Sequence, residues 1–136
     1  IDDIVEMYLD FDPADRAQGI PPVEEDAIVE WVETILEEDC LNVVARHDGA
    51  VVGHATLVPD RHGHNELAIF VHQDFQGAGI GTDLLESLLG FGQERGVEEV
   101  WLTVERWNEP AIALYEKVGF QNSSSERFEL EMKIRI

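Results

Sequence analysis

At 136 residues the chain is long enough for one domain with a real core, and its 44 % hydrophobic content supports folding despite the charge. Its 29 acidic against 9 basic side chains leave a net charge of −20, which excludes a basic nucleic-acid-binding surface. No apolar run reaches the roughly 20 residues that cross a bilayer, and a lone Cys40 excludes an intramolecular disulfide framework.

Self-repulsion on this scale destabilises a compact state in dilute buffer, and salt relieves it. The simplest expectation is a soluble cytoplasmic protein adapted to high salt, from a halophile. An acidic surface that attracts cationic substrates and mimicry of nucleic acid are the competing readings. The chain starts at Ile1 rather than Met and carries no signal peptide, so a trimmed N-terminus and a missing first strand are expected.

Ile1, Ile4, Val5 and Tyr8 recur at helical spacing, and residues 10–22 read as a loop broken by Pro13, Gly19, Pro21 and Pro22. An amphipathic helix is predicted over 23–38. Ile28, Trp31, Val32, Ile35 and Leu36 form its apolar stripe, and Glu24, Glu30, Glu33 and Glu37 its solvated side. Cys40 beside Leu41 and Val43 reads as a buried structural thiol. The β-rich runs 41–46 and 51–58, joined through Asp48-Gly49, predict a hairpin. A second turn at 59–63 leads to a third strand over 64–71.

The stretch Gln76-Gly77-Ala78-Gly79-Ile80-Gly81 then opens a helix predicted to run from Ile80 to Glu94 and to stop at Gly96. A strand, a glycine-rich turn and a helix start make an anion cradle: main-chain N–H groups and the helix dipole both favour phosphate. Residues 99–105 form a strand with Val100, Leu102 and Val104 on one face and Trp101, Thr103 and Glu105 on the other. Asn108 caps a helix that tolerates Pro110 in its first turn and ends at Gly119. Residues 127–136 alternate strictly through Phe128, Leu130, Met132, Ile134 and Ile136. This order predicts a single mixed α/β domain over residues 1–136, with helices packed on a largely antiparallel sheet and one right-handed parallel crossover around the glycine loop.

Three kinds of glycine loop compete for the cradle. A nucleotide P-loop needs Gly-Lys-Ser/Thr, and Gly81-Thr82 brings no Lys. A dinucleotide fold places G-x-G-x-x-G at its first strand–helix turn, and here three strands precede the loop. The third fits: Gln76-x-x-Gly79-x-Gly81 resembles the Q/R-x-x-G-x-G/A loop of the GCN5-related N-acetyltransferases (GNAT). Asn108-Glu109-Pro110-Ala111-Ile112-Ala113-Leu114-Tyr115-Glu116-Lys117-Val118-Gly119-Phe120 is similar to that family's N-x-x-A-x-x-L-Y-x-x-x-G-F segment.

The resemblance implies an acetyltransferase that takes acetyl-coenzyme A and an amine acceptor; from the residues themselves no metal site is expected. The pantetheine arm would pair with Ile69, Phe70 and Val71, and the pyrophosphate would sit on the amides of Gln76, Gly77, Ala78, Gly79, Ile80, Gly81 and Thr82. Asn108 would contact the pantetheine side. Tyr115, on the same helical stripe two turns on, would donate to the leaving thiolate. Glu66, on the face of Ala68 and Phe70, resembles the base found in some members. Glu105 on the next strand is a second candidate, and His72 a weaker one. His54, His62 and His64 lack a completing ligand at zinc spacing. Trp107 reads either as cleft lining or as packing. The alternative to an enzyme is a non-catalytic acyl-coenzyme A sensor with the same fold, and a homodimer is left open.

Overall fold

The computed structural model describes residues 2–11, 22–37, 39–60, 63–77, 79–125 and 129–136. They form α1 (Asp2–Leu9), α2 (Glu25–Ile35), β1 (Leu41–His47), β2 (Ala50–Pro59), β3 (Asn65–Val71), a 3-10 turn (Gln73–Phe75), α3 (Ile80–Glu94), β4 (Glu99–Glu105), α4 (Glu109–Val118), β5 (Gln121–Ser125) and β6 (Glu129–Arg135). Among the sequence expectations, those on Ile1, Pro13, Gly19, Pro21, Glu38, His62, Ala78, Arg127 and Phe128 fall outside the described residues.

One six-stranded sheet runs in the order β1-β2-β3-β4-β6-β5. Every neighbouring pair is antiparallel except β3–β4, which is parallel, as the expected crossover requires. The β1–β2 hairpin turns through Asp48 (φ 50°) and Gly49 (φ 85°). Two positive φ values are what a two-residue hairpin of matching twist requires, and Asp and Gly tolerate them. Strand β5, Gln121-Asn122-Ser123-Ser124-Ser125, was not separately expected; it is an edge strand ordered by its antiparallel ladder with β6.

Hydrophobic periodicity decides which face each element buries. Leu84, Leu85, Leu88 and Leu89 of α3 are buried against Ala55, Leu57, Leu67, Val100, Leu102 and Val104 of the sheet. Each such leucine contributes about 1.5–3 kcal/mol by leaving water. The packing is close: a Cβ added at Gly53 would meet Leu84 Cδ1 at 2.7 Å. On the other face α1 and α2 bury Ile4, Val5, Met7, Tyr8, Ile28 and Val32 with Val51 and Phe70. Helix α2 is shorter than expected, beginning at Glu25 and ending at Ile35, with Glu24, Glu30, Glu33 and Glu37 exposed.

Candidate functional site

Strands β3 and β4 pair only at Asn65↔Val100 and Glu66↔Trp101. Beyond that point β3 stays paired with β2 as far as Val71, and β4 stays paired with β6 as far as Glu105. The two central strands therefore part, and the backbone groups of residues 67–71 that turn away from β2 lose a ladder partner on the β4 side. Buried main-chain groups need partners, so this edge is a natural place for a ligand that presents amides. The gap is a cleft of about 390 Å³.

The glycine loop closes one end of the cleft. Gln76, Gly77 and Gly81 line it, along with Ile69, Phe70 and Val71. The Gln76 side chain turns back to donate from Nε2 to the Val71 carbonyl, 3.1 Å away, which fastens the loop to the end of β3. Gly79 is the N-cap of α3 at φ 85°, a left-handed conformation that glycine adopts at low cost, and no side chain caps the helix. The first-turn N–H groups of α3 thus have no side-chain cap and have the positive end of the helix dipole behind them, an arrangement that suits an anion. Gly79, Ile80 and Thr82 are not among the residues lining the cleft. A Cβ at Gly81 would meet Leu114 Cδ2 at 3.3 Å, so the start of α3 and α4 approach closely there.

The structure brings Glu66, Glu105, Asn108 and Tyr115 to this one cleft. Asn108 caps α4 by accepting from the Ala111 N–H at 3.3 Å, as its position before the helix requires. Tyr115 stands two turns on and packs against Phe120, ring centroids 5.8 Å apart. Burial pushes its hydroxyl up to about 12, so the group is protonated throughout the neutral range and acts as a donor. The Glu66 carboxyl is raised from its ordinary value, first by partial desolvation and second by the nearby Asp60 carboxylate. Asp60 is itself held by Trp101 Nε1 at 2.8 Å and the His64 N–H at 3.0 Å. Phe11, Phe75, Thr103 and Leu114 complete the walls. Phe11 carries no signal in the sequence, because it follows α1 in a stretch that reads as loop.

Other candidate side chains do different work. His72 is neither exposed nor a cleft residue. It is buried, with Nε2 2.8 Å from Asp10 Oδ2. His54 is fully buried between Tyr8 (2.7 Å from Nδ1) and Asn42 (2.8 Å from Nε2). His64 pairs with Glu99 at 2.9 Å. Among the described residues no group of three or more His, Cys, Asp or Glu is arranged to hold a metal, and no helix is long and apolar enough to cross a membrane. Cys40 is not buried as expected but partly exposed. Desolvation first, then Asp39 and Glu37, raise its thiol, which keeps it protonated and a poor nucleophile. Trp107 neither packs in the core nor lines the cleft: it is 71 % exposed.

Comparison with known proteins matches this architecture. Residues 1–120 fit the model of the Acetyltransferase (GNAT) family. An uncharacterised N-acetyltransferase of Mycobacterium tuberculosis is 32 % identical over 89 residues, 65 % of this chain and 57 % of that protein. The ribosomal protein bS18-alanine N-acetyltransferase of Escherichia coli is 44 % identical over 59 residues, 43 % of this chain and 40 % of that one. The chain thus spans about half the length of the curated relatives it matches. YncA of Salmonella typhimurium, solved with its cofactor acetyl-CoA, superposes with a TM-score of 0.77 at 21 % identity, covering 97 % of this chain and 86 % of that one. A parted sheet with a glycine loop at its mouth and a family model that takes in both lead to one assignment: the chain belongs to the acetyltransferase (GNAT) family.

Proposed function

We propose that the protein transfers an acetyl group from acetyl-coenzyme A to a primary amine by direct attack in a ternary complex. The observation that carries this reading is the parting of β3 and β4 after two paired residues, with the glycine loop at one end of the gap and Tyr115 on its wall. The released edge of Ile69, Phe70 and Val71 suits the amides of a pantetheine arm, which adds there like an extra strand. The N–H groups of residues 76–82 suit a pyrophosphate. The Asn108 Oδ1 is engaged at the start of α4, so its contact with the cofactor falls to Nδ2. A main-chain N–H near Val71 polarises the thioester carbonyl, and Tyr115 donates to the sulfur as the C–S bond breaks.

The amine needs to lose a proton, since an alkylamine near pKa 10.4 is mostly charged at neutral pH. We assign that role to Glu66, whose carboxyl is raised from its ordinary value by desolvation and by Asp60, with Glu105 as an electrostatic partner for the ammonium. Because Glu66 remains largely exposed, water also reaches the site. Replacement by Gln is therefore expected to lower kcat roughly tenfold, less than general bases usually contribute. Steady-state rates from pH 6 to 10 check this, and a change within twofold would return Glu66 to the status of a rim charge.

The acceptor follows by analogy from the Escherichia coli relative: a peptide with N-terminal alanine is the first to try, beside lysine peptides and small amines. The acidic surface fits a cytoplasm of high salt. With a Debye length near 10 Å at 0.1 M and 3 Å at 1 M, repulsion between the −20 protein and an anionic cofactor fades as salt rises. Coenzyme A release with this panel, from low to molar salt, is expected to show turnover and a cofactor affinity that strengthens with salt. Binding without turnover of any acceptor would favour the sensor reading. No turnover together with no thermal shift by acetyl-coenzyme A would overturn both.

A further inference from the structure

The end of α1 and the turn that leads into the glycine loop are 62 residues apart in sequence, yet two side chains of that turn grip Asp10, the residue that follows α1. His72 follows Val71 directly, and its own N–H is tied to the Val52 carbonyl at 2.9 Å, so its backbone is fixed to the sheet. Its Nδ1 accepts from the Asp74 N–H at 3.2 Å. The ring proton therefore sits on Nε2, which donates to Asp10 Oδ2 at 2.8 Å. The neighbouring Gln73 donates from Nε2 to the Asp10 main-chain carbonyl, also at 2.8 Å. That carbonyl lies just past the end of α1, where carbonyls commonly take partners from outside the helix.

What Asp10 holds in place is Phe11. Phe11 is 5 % exposed, lines the cleft, and stacks edge-on against Phe70 of β3 with ring centroids 6.0 Å apart. The same turn continues into Phe75, Gln76 and Gly77, which line the cleft on the side of the glycine loop. One short segment thus anchors two parts of the cleft wall.

We propose that Asp10 is a positioning residue: clasped by His72 and Gln73, it sets Phe11 as the acceptor-side wall and couples that wall to the loop that takes the cofactor. The inference rests on the acetyltransferase reading above. The clasp makes the order of the loop and the order of the end of α1 one event, so binding on one side stiffens the other.

Hydrogen exchange of the full chain, with and without coenzyme A, tests the coupling. Coenzyme A is expected to slow exchange in residues 76–82 and also in residues 7–11. In Asp10→Ala the first protection persists and the second is lost. In Asp10→Asn, whose carboxamide oxygen still accepts from His72, both persist. With the best acceptor of the panel above, Asp10→Ala is expected to raise the amine KM roughly five- to tenfold, the loss of one charge-assisted hydrogen bond. The KM for acetyl-coenzyme A stays within twofold, and Asn restores the amine KM. The Asp10 side chain is 78 % exposed, so the fold tolerates these changes. Undiminished protection of residues 7–11 in Asp10→Ala, or an unchanged amine KM, overturns the clasp alone. Coenzyme A that protects neither segment overturns the clasp and the acetyltransferase reading together.

Discussion

Replacing Tyr115 by Phe is expected to lower kcat roughly 100-fold, the lower end of what a positioned acid contributes, while the affinity for acetyl-coenzyme A stays within about twofold. Burial holds the Tyr115 hydroxyl at about 12. A thiol leaves at a pKa of about 8.5, so complete transfer of the tyrosine proton to the thiolate is uphill by ~3.5 units, or about 5 kcal/mol. The contribution is therefore a hydrogen bond to sulfur as charge develops on it, strongest at the transition state and weak in the ground state. That difference is why kcat falls and binding does not. The ring stays packed on Phe120, and the Tyr115 carbonyl keeps its bonds from Gly119 and Phe120 at 3.1 and 3.0 Å, so the fold is preserved. The same hydroxyl predicts no alkaline limb in the wild-type rate up to about pH 10, because it remains protonated there. Turnover by thiol release and binding by calorimetry decide the matter. An unchanged kcat in the variant would remove Tyr115 from the chemistry.

Much of this site is legible one residue at a time, because local periodicity fixes faces. Alternation along 99–105 places Glu105 with Thr103 and Trp101, away from the buried Val100, Leu102 and Val104. Seven-residue spacing places Asn108 and Tyr115 on one stripe, and the structure has both in the cleft. The Asp48-Gly49 turn and the stop of α3 near Gly96 follow from backbone preference alone. What the pattern does not carry is how far two strands stay together. The runs of β3 and β4 read as ordinary neighbours, and nothing in them says that pairing ends at Glu66↔Trp101. Nor does a polar run such as Gln121-Asn122-Ser123-Ser124-Ser125 announce a strand, since its order comes from the ladder with β6 rather than from its own burial. Phe11 and the pairing of His72 with Asp10 escape for a related reason: the partners lie tens of residues away, and only the tertiary fold supplies them.

His54 is the sharpest case of a side chain whose role comes from distant partners, and its removal is expected to have the largest effect on stability. Asn42 Nδ2 donates to the Ile35 carbonyl at 2.7 Å, so its Oδ1 is left to accept. His54 Nε2 must then carry the proton that it donates to Asn42, and Nδ1 accepts from the Tyr8 hydroxyl at 2.7 Å. The chain Tyr8–His54–Asn42–Ile35 thus ties α1, β2, β1 and the end of α2 through one neutral imidazole. Burial lowers its pKa from 6.5 to about 4. The unfolded chain takes up the proton below about pH 6.5, whereas the folded one resists it until about 4, so this contribution to stability is full above 6.5 and is lost as pH falls towards 4. Between pH 7.5 and pH 5 the loss amounts to about 2 kcal/mol. His54→Gln is neutral at every pH and leaves Tyr8 and Asn42 imperfectly paired, so at pH 7.5 it is expected to be less stable by about 3 kcal/mol. At pH 5 the gap narrows to about 1 kcal/mol, since only the wild type has lost the imidazole term. The comparison cancels the protonation of the many carboxylates, which both proteins share, and pH 5 stays above the isoelectric point near 4.3. Urea unfolding at fixed salt measures both gaps. A gap that is equal at the two pH values would mean that His54 is not held neutral by burial, and the network would then contribute through packing alone.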